Sequence, residues 1–379
     1  MREDSKILPL EDWGLFPSIS RPLVIAGPCS AETKEQVMET AERLFASGIR
    51  MFRAGIWKPR THPHSFEGVG KSGLEWMKEV REVFGMKIMT EVANPLHLRE
   101  ALKAGMDAVW IGARTTTNPF AVQEIADALR GVDIPVFIKN PVNPDIELWI
   151  GAFERFLDSG INKLAAIHRG FSVAEAYPYR NSPHWQIPLE LKRRLKNVCI
   201  FGDPSHMGGD TRYVGRLCQE FMDLGYRGLI VESHSNPANA LSDAFQQVLP
   251  DTLSKIIESL KIRETDSNIL DCEESIERMR SHIDEIDGKI VELIADRLYF
   301  ADEIGRCKKT NNMTIFQFDR WDGILKRISE LAGNKHIDKH IVTEIFRLIH
   351  QASIDRQNFI FNESEIFGTE SERESQSDT

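Results

Sequence analysis

The 379-residue sequence contains no apolar run approaching the roughly 20 residues that a bilayer demands. Its amino terminus, MREDSKILPLEDWG, is charged where a signal peptide would be apolar. Both absences point to a cytoplasmic protein. Cysteine is scarce: the five residues Cys29, Cys199, Cys218, Cys272 and Cys307 are odd in number, scattered and without a CxxC pair. That excludes a disulfide framework and a zinc knuckle. Basic charge is also short, with 47 Lys and Arg against 57 Asp and Glu, a net charge of −10. Residues 363–379 hold six acids and one base, half of that total, and the balance disfavours nucleic-acid binding through bulk charge. Proline is missing altogether beyond Leu260, where strand signals also cease.

Before that point, short apolar runs alternate with longer helix-like segments: LVIAG, MFRAG, KIMTEV, AVWIG, PVFIKN, KLAAIHRG, VCIFGDPSH and GLIVESH. Their β-branched content and the patterned segments between them predict repeated β-α units. Eight units over about 250 residues match an α/β fold of the (β/α)8 TIM-barrel type, with a doubly wound open sheet as the alternative. Beyond the polar stretch RETDSNILDCEES the sequence reads as all-α. Ile276, Met279, Ile283, Ile286, Ile290 and Leu293 form an apolar stripe along a helix of about 30 residues, which needs a partner. Two further helices are expected, over 319–331 and 340–361, separated by AGNKHID. The expected organisation is therefore a barrel over 1–262, a linker over 263–275, a helical domain over 276–362 and a disordered acidic tail over 363–379. About twenty residues precede the first strand, too few for a separate amino-terminal regulatory domain.

The carboxyl ends of the eight runs carry Cys29, Arg53 with Lys58 and Arg60, Glu91, Arg114, Lys139, His168 with Arg169, Asp203 with His206, and Glu232 with His234. A barrel gathers these at one mouth. The cations Arg53, Lys58, Arg60, Arg114, Lys139 and Arg169 would repel one another unless a multiply charged anion lies between them, and guanidinium forks suit phosphate and carboxylate. Cys29, His206, Glu232 and Asp243, the last expected at the start of the final barrel helix, form a mixed sulfur, nitrogen and oxygen set. Such a set can hold one divalent metal ion, Mn, Fe, Co or Zn.

The motifs GPCSAET, AGIWKPRTHPHSFEG, IGAR, IHRG and DPSHMGG resemble the short, type Iβ form of 3-deoxy-D-arabino-heptulosonate 7-phosphate (DAHP) synthase, over about residues 20–260. The resemblance implies a transferase that condenses phosphoenolpyruvate with erythrose 4-phosphate at the entry to the shikimate pathway. It implies metal ligands Cys29, His206, Glu232 and Asp243, with Mn2+ favoured. It places phosphoenolpyruvate on Arg53, Lys58, Glu91, Gly112, Ala113, Arg114, Lys139 and Arg169, and the erythrose 4-phosphate phosphate on Arg60 and Thr61. In the implied mechanism the metal is the Lewis acid, and Lys58, with a pKa depressed among cations, is the proton donor to the new alkoxide.

On the first long helix, Arg297 and Lys308 share a face, whereas Arg280 lies seventeen residues from Arg297, roughly 25 Å along the axis. One small molecule cannot touch both arginines unless two chains pair. The stretch ESIERMRSHIDEIDGKIVELIADRLYFADEIGRCKK, with FDRW and SIDRQ, resembles the all-helical AroQ class of chorismate mutase over about residues 273–360. This implies an isomerase domain whose chorismate pocket is lined by Arg280, Arg297, Lys308, Gln317, Arg320, Ser353 and Gln357. Lys308 and Gln357 would bond the breaking ether oxygen, and the domain would make the chain at least a dimer. Trp321 stands where a hydroxyl-binding glutamate is expected, and Gln317 where an aspartate often lies. Prephenate is expected to inhibit the synthase through this domain. The competing readings are a related barrel condensing phosphoenolpyruvate with arabinose 5-phosphate, and a helical part that dimerises and senses a metabolite without catalysis.

Overall fold

In this computed structural model, the structure describes residues 6–16, 21–59, 64–173, 178–263 and 270–374. Two compact units divide the chain, 1–265 and 266–379. No helix among the described residues is long and apolar enough to cross a membrane.

The first unit runs β1 (Leu23–Gly27), α1 (Lys34–Ala46), β2 (Met51–Arg53), α2 (Lys71–Phe84), β3 (Lys87–Val92), α3 (Pro95–Lys103) and β4 (Ala108–Ile111). It continues α4 (Ala113–Thr116), α5 (Pro119–Ala128), β5 (Val136–Lys139), α6 (Ile146–Asp158), β6 (Leu164–His168), α7 (Gln186–Arg194) and β7 (Cys199–Gly202). The last elements are α8 (Pro204–Gly208), α9 (Thr211–Asp223), β8 (Gly228–Glu232) and α10 (Pro250–Ser259). Each strand pairs in parallel with its sequence neighbour, and β1 pairs with β8, so the sheet closes into a barrel of eight. All eight expected strands are present.

The alternation of side chains along each strand decides what the barrel can do. Ile25, Met51, Met89, Trp110, Phe137, Ile167, Phe201 and Ile230 pack together with Leu10, Trp13 and Leu15 of the amino-terminal segment, which plugs one end. Their neighbours Ala26, Phe52, Ile88, Val109, Ile138, Ala166, Leu229 and Val231 belong to the outer core against the helices. Two positions beyond each last inward apolar residue, in strand order, come Gly27, Arg53, Glu91, Gly112, Lys139, Arg169, Asp203 and Glu232. The inward face of the barrel thus ends in a ring of six charged residues and two glycines.

The second unit consists of α11 (Leu270–Thr310), α12 (Phe318–Asn334) and α13 (Lys339–Glu374), with α13 packed on both others. Arg356 grips Asp302 with two hydrogen bonds, one from Nε to Oδ1 at 2.7 Å. Gly305 permits the close approach of α11 and α13, since a Cβ there would lie 2.9 Å from Gln357 Cγ. α11 is longer than the expected 30 residues because nothing between Leu270 and Thr310 breaks it, and it begins inside the expected linker. α13 continues to Glu374, past Asn362, because the Glu-rich segment lacks proline; residues 375–379 lie outside the described residues. The stripe residues Met279, Ile283, Ile286, Ile290 and Leu293 are between 48% and 66% exposed, so the described unit leaves this face uncovered.

Candidate active sites

At the barrel mouth the cations are held by fixed partners. Arg53, 1% exposed, donates from Nη1 to Glu232 Oε1 at 3.0 Å and from Nη2 to the Cys29 carbonyl at 3.1 Å, and its guanidinium lies 4.7 Å over the Trp110 ring. Lys139 donates to Asp203 Oδ2 at 3.0 Å, and Arg169 donates to Asn181 Oδ1 at 2.9 Å. Burial, partly offset by Asp203, lowers the Arg169 pKa to about 10. Arg114, on α4, donates to the Pro59 carbonyl. Trp110 Nε1 donates to Glu91 Oε2 at 2.9 Å. A Cβ on Gly27 would lie 2.0 Å from the Arg53 carbonyl oxygen, so that glycine is required by the neighbouring backbone, while one on Gly112 would lie 2.2 Å from Glu91 Oε1 and displace that carboxylate. Arg60 and Thr61 lie outside the described residues.

The sulfur, nitrogen and oxygen set meets in pairs. Cys29 Sγ is 3.3 Å from Asp243 Oδ2, and His206 Nε2 is 3.6 Å from Glu232 Oε1. Asp203 caps α8, accepting the His206 backbone N–H at 3.0 Å, and its Oδ2 lies 2.8 Å from His206 Nδ1, which directs Nε2 at Glu232. Carboxylate support behind a ligating histidine is the outer arrangement that metal sites use. Asp243 does not start the last helix: it precedes a short 3-10 turn with φ at +44°, an uncommon backbone for a side-chain-bearing residue, while α10 begins only at Pro250. Among the described residues no three of these donor types stand in ready coordinating geometry. Cations occupy the gaps, since Lys58 Nζ donates to Cys29 Sγ at 3.0 Å and Arg180 Nη1 to Asp243 Oδ1 at 3.2 Å. The donor chemistry fits a first-row divalent cation.

Burial, reinforced by Glu232 and opposed by Lys58, pushes the Cys29 thiol up to about 12. Burial also raises Glu232, but His206, Arg53 and Lys58 outweigh it and hold the carboxyl below its usual range. For Lys58 the expected depression is reversed: burial lowers its pKa, but Cys29, Glu232 and Glu91 raise it further, leaving it above the ordinary lysine value. The anions around Lys58 act more strongly than the cations.

The cavity at the mouth, about 300 Å3, is lined by the cations Lys58, Arg114, Lys139, Arg169 and Arg180 against the carboxylates Glu91 and Asp243. Arg180 and Asn181 were not foreseen; they come from the loop before α7, which carries no recognisable motif. His168 is not at the mouth, because its strand position faces outward. Its Nδ1 is 2.9 Å from the Tyr226 hydroxyl and its Nε2 2.7 Å from the Pro183 carbonyl, and burial drives its pKa to about 3. His234 is likewise buried, with Nδ1 accepting the Asn236 N–H.

In the helical unit, Arg297 Nη1 donates to Ser353 Oγ at 2.7 Å and to the Ile349 carbonyl at 3.4 Å. Lys308, 8% exposed, donates to the Ile315 carbonyl at 2.5 Å. Gln357 is buried, and its Oε1 has no hydrogen-bond partner among the described residues. Arg320 lies near enough for its charge to act on Arg297, whose pKa is lowered by burial and then by Arg320. Gln317 precedes α12 and is exposed. Arg280 is exposed and pairs only with Glu277 at 3.3 Å among the described residues, away from this cluster.

Two family models match the chain: the DAHP synthetase I family over residues 19–269 and chorismate mutase type II over 279–358. The chain belongs to the DAHP synthetase I family. It is similar to the phospho-2-dehydro-3-deoxyheptonate aldolase of Thermotoga maritima, 33% identical over 238 residues covering 63% of this chain and 68% of the relative. A 2-dehydro-3-deoxyphosphooctonate aldolase of Helicobacter pylori is 30% identical over 271 residues, 64% of this chain and 96% of the relative. The crystal structure of the Thermotoga maritima DAHP synthase superposes with a TM-score of 0.57 at 31% identity, covering 62% of this chain and 67% of that one. The chain thus joins a DAHP synthase barrel to a chorismate mutase domain, uniting entry to the shikimate pathway with chorismate rearrangement in one polypeptide.

Proposed function

We propose that Arg53, Lys58, Glu91, Gly112, Ala113, Arg114, Lys139 and Arg169 bind phosphoenolpyruvate at the mouth, with Arg60 and Thr61 on the phosphate of erythrose 4-phosphate. The observation that carries this reading is five cations facing one cavity beside a Cys, His, Glu and Asp set. A divalent cation held by Cys29, His206, Glu232 and Asp243, with manganese ahead of iron, cobalt or zinc, supplies Lewis acidity toward the aldehyde oxygen. Arg114, Lys139 and Arg169 fix the anionic enol phosphate so that its C3 faces the aldehyde carbon. As that carbon–carbon bond forms, the carbonyl electron pair moves to oxygen, and Lys58 delivers the proton there from a position 3.0 Å from Cys29 Sγ. Water then adds at C2, loses a proton, and phosphate leaves with the C2–O bonding pair.

The test is condensation by the full chain with erythrose 4-phosphate, and with arabinose 5-phosphate in its place, before and after chelation. Chelation should abolish product formation, and Cys29→Ser should lose bound metal and activity together. Full activity in metal-free protein, or preference for arabinose 5-phosphate, would contradict the reading.

In the helical unit, Arg297, Lys308, Arg320, Ser353 and Gln357 hold chorismate, with Arg280 supplied by a second copy through the uncovered stripe on α11. The pericyclic step needs only positioned donors, and the side-chain NH2 of the buried Gln357 supplies one. Clustering of these donors favours catalysis over sensing alone. Prephenate bound there serves as feedback inhibitor of the synthase.

A further inference from the structure

Of the neutral polar residues proposed for the helical pocket, Ser353 is already bonded to Arg297, and Gln317 is exposed ahead of α12. On the reading that the pocket takes chorismate, the two carboxylates of that substrate belong on the cations, and its ring hydroxyl needs a partner of its own. One polar side chain in this region has no role so far. His350 lies on α13 three residues before Ser353 and seven before Gln357, which puts the three on one helix face. Its ring stacks on Trp321 at 4.0 Å between centroids and 20° between planes, and Phe316 meets it edge-on at 6.2 Å. Trp321 follows Arg320, and Phe316 follows Ile315, whose carbonyl holds Lys308. The elements that clamp His350 are therefore those that carry the proposed chorismate ligands. Neither ring nitrogen of His350 bonds to another described residue. Burial, then the charges of Arg297 and Lys308, lower its pKa, so the imidazole stays neutral at pH 7, with one donor and one acceptor.

We propose that His350 is the specificity-determining residue of the helical pocket, its imidazole held flat by Trp321 to hydrogen-bond the ring hydroxyl of chorismate. Trp321 then acts as a positioning residue, fixing a partner for the hydroxyl instead of binding it.

The test compares chorismate with its analogue bearing hydrogen in place of the ring hydroxyl, using full-length chain. Wild-type protein should favour chorismate in kcat/KM by about 10-fold, a typical margin for one hydrogen bond made in a buried site. His350→Phe preserves the stack on Trp321 and removes both nitrogens, so it should bring the two substrates within about 2-fold of each other, with the loss confined to chorismate. His350→Asn should restore part of the preference. An equal fall on both substrates with His350→Phe would show a structural role and overturn the proposal. So would a preference that survives His350→Phe and disappears with Gln317→Ala. Wild-type protein that does not turn over chorismate would overturn the parent reading, and this inference with it.

Discussion

Replacing Lys139 by methionine removes the cation from an ion pair whose members are 5% and 1% exposed and 3.0 Å apart. Asp203 is then left buried and charged, with only the His206 backbone N–H at 3.0 Å and the neighbouring imidazole to satisfy it. Breaking one side of such a pair costs about 3 to 5 kcal/mol. At about 2 to 4 °C per kcal/mol for a unit of this size, that is a fall of roughly 6 to 20 °C in Tm. Adding Asp203→Asn removes the stranded charge while keeping an oxygen for the His206 N–H, so the double variant should regain most of the lost stability. Synthase activity should not return with it, because the phosphoenolpyruvate subsite still lacks its cation. Thermal unfolding of the full chain by circular dichroism, alongside the condensation assay, separates the two roles. A Lys139→Met chain melting within about 2 °C of wild type would refute the energetic reasoning. Activity recovered together with stability would make Lys139 structural.

Shared helical pockets predict complementation between damaged chains. Mixing equal amounts of Arg280→Ala and Arg297→Ala protein should restore mutase activity to about a quarter of wild type, since half the dimers are mixed and each carries one intact pocket; no recovery despite subunit exchange would assign each pocket to one chain. For feedback, prephenate should raise the apparent phosphoenolpyruvate requirement of the wild-type synthase by about 5-fold to 150-fold, the usual span of coupling between sites. Arg297→Ala should abolish that response in the full chain, and inhibition that persists unchanged would place the effector elsewhere.

Much of the barrel mouth was readable because strand period and strand order are both local properties of the sequence. A parallel barrel sends every strand's carboxyl end to one face, so Arg53, Glu91, Lys139 and Glu232 are brought together by topology alone. The period of two goes further than the sequence reading took it. Ile167 points inward and Arg169 shares its parity, so His168 must point into the outer core, where it bonds Tyr226 and the Pro183 carbonyl. The same rule explains why Gly27 and Gly112 occupy two of the eight inward tips: the Arg53 carbonyl and the Glu91 carboxylate fill the space a side chain would need.

What parity cannot supply is the pairing among side chains once they meet. Lys58 was expected to have its pKa depressed because most strand-end charges are cations, but the nearest atoms decide the outcome. Arg53 is neutralised by Glu232 and Lys139 by Asp203, partners 179 and 64 residues distant. With those cations already paired, the thiol and carboxylates beside Lys58 dominate and raise its pKa. Arg180 escaped notice for a related reason: it reaches the mouth from a loop with no periodicity, and only its bonds to Asp243 and Gln246 reveal it. In the helical unit the sequence marked Trp321 as a departure in a carboxylate's position. The stacked His350 offers a physical account of that departure, because a neutral imidazole meets a hydroxyl without placing a negative charge beside the cations that bind the carboxylates.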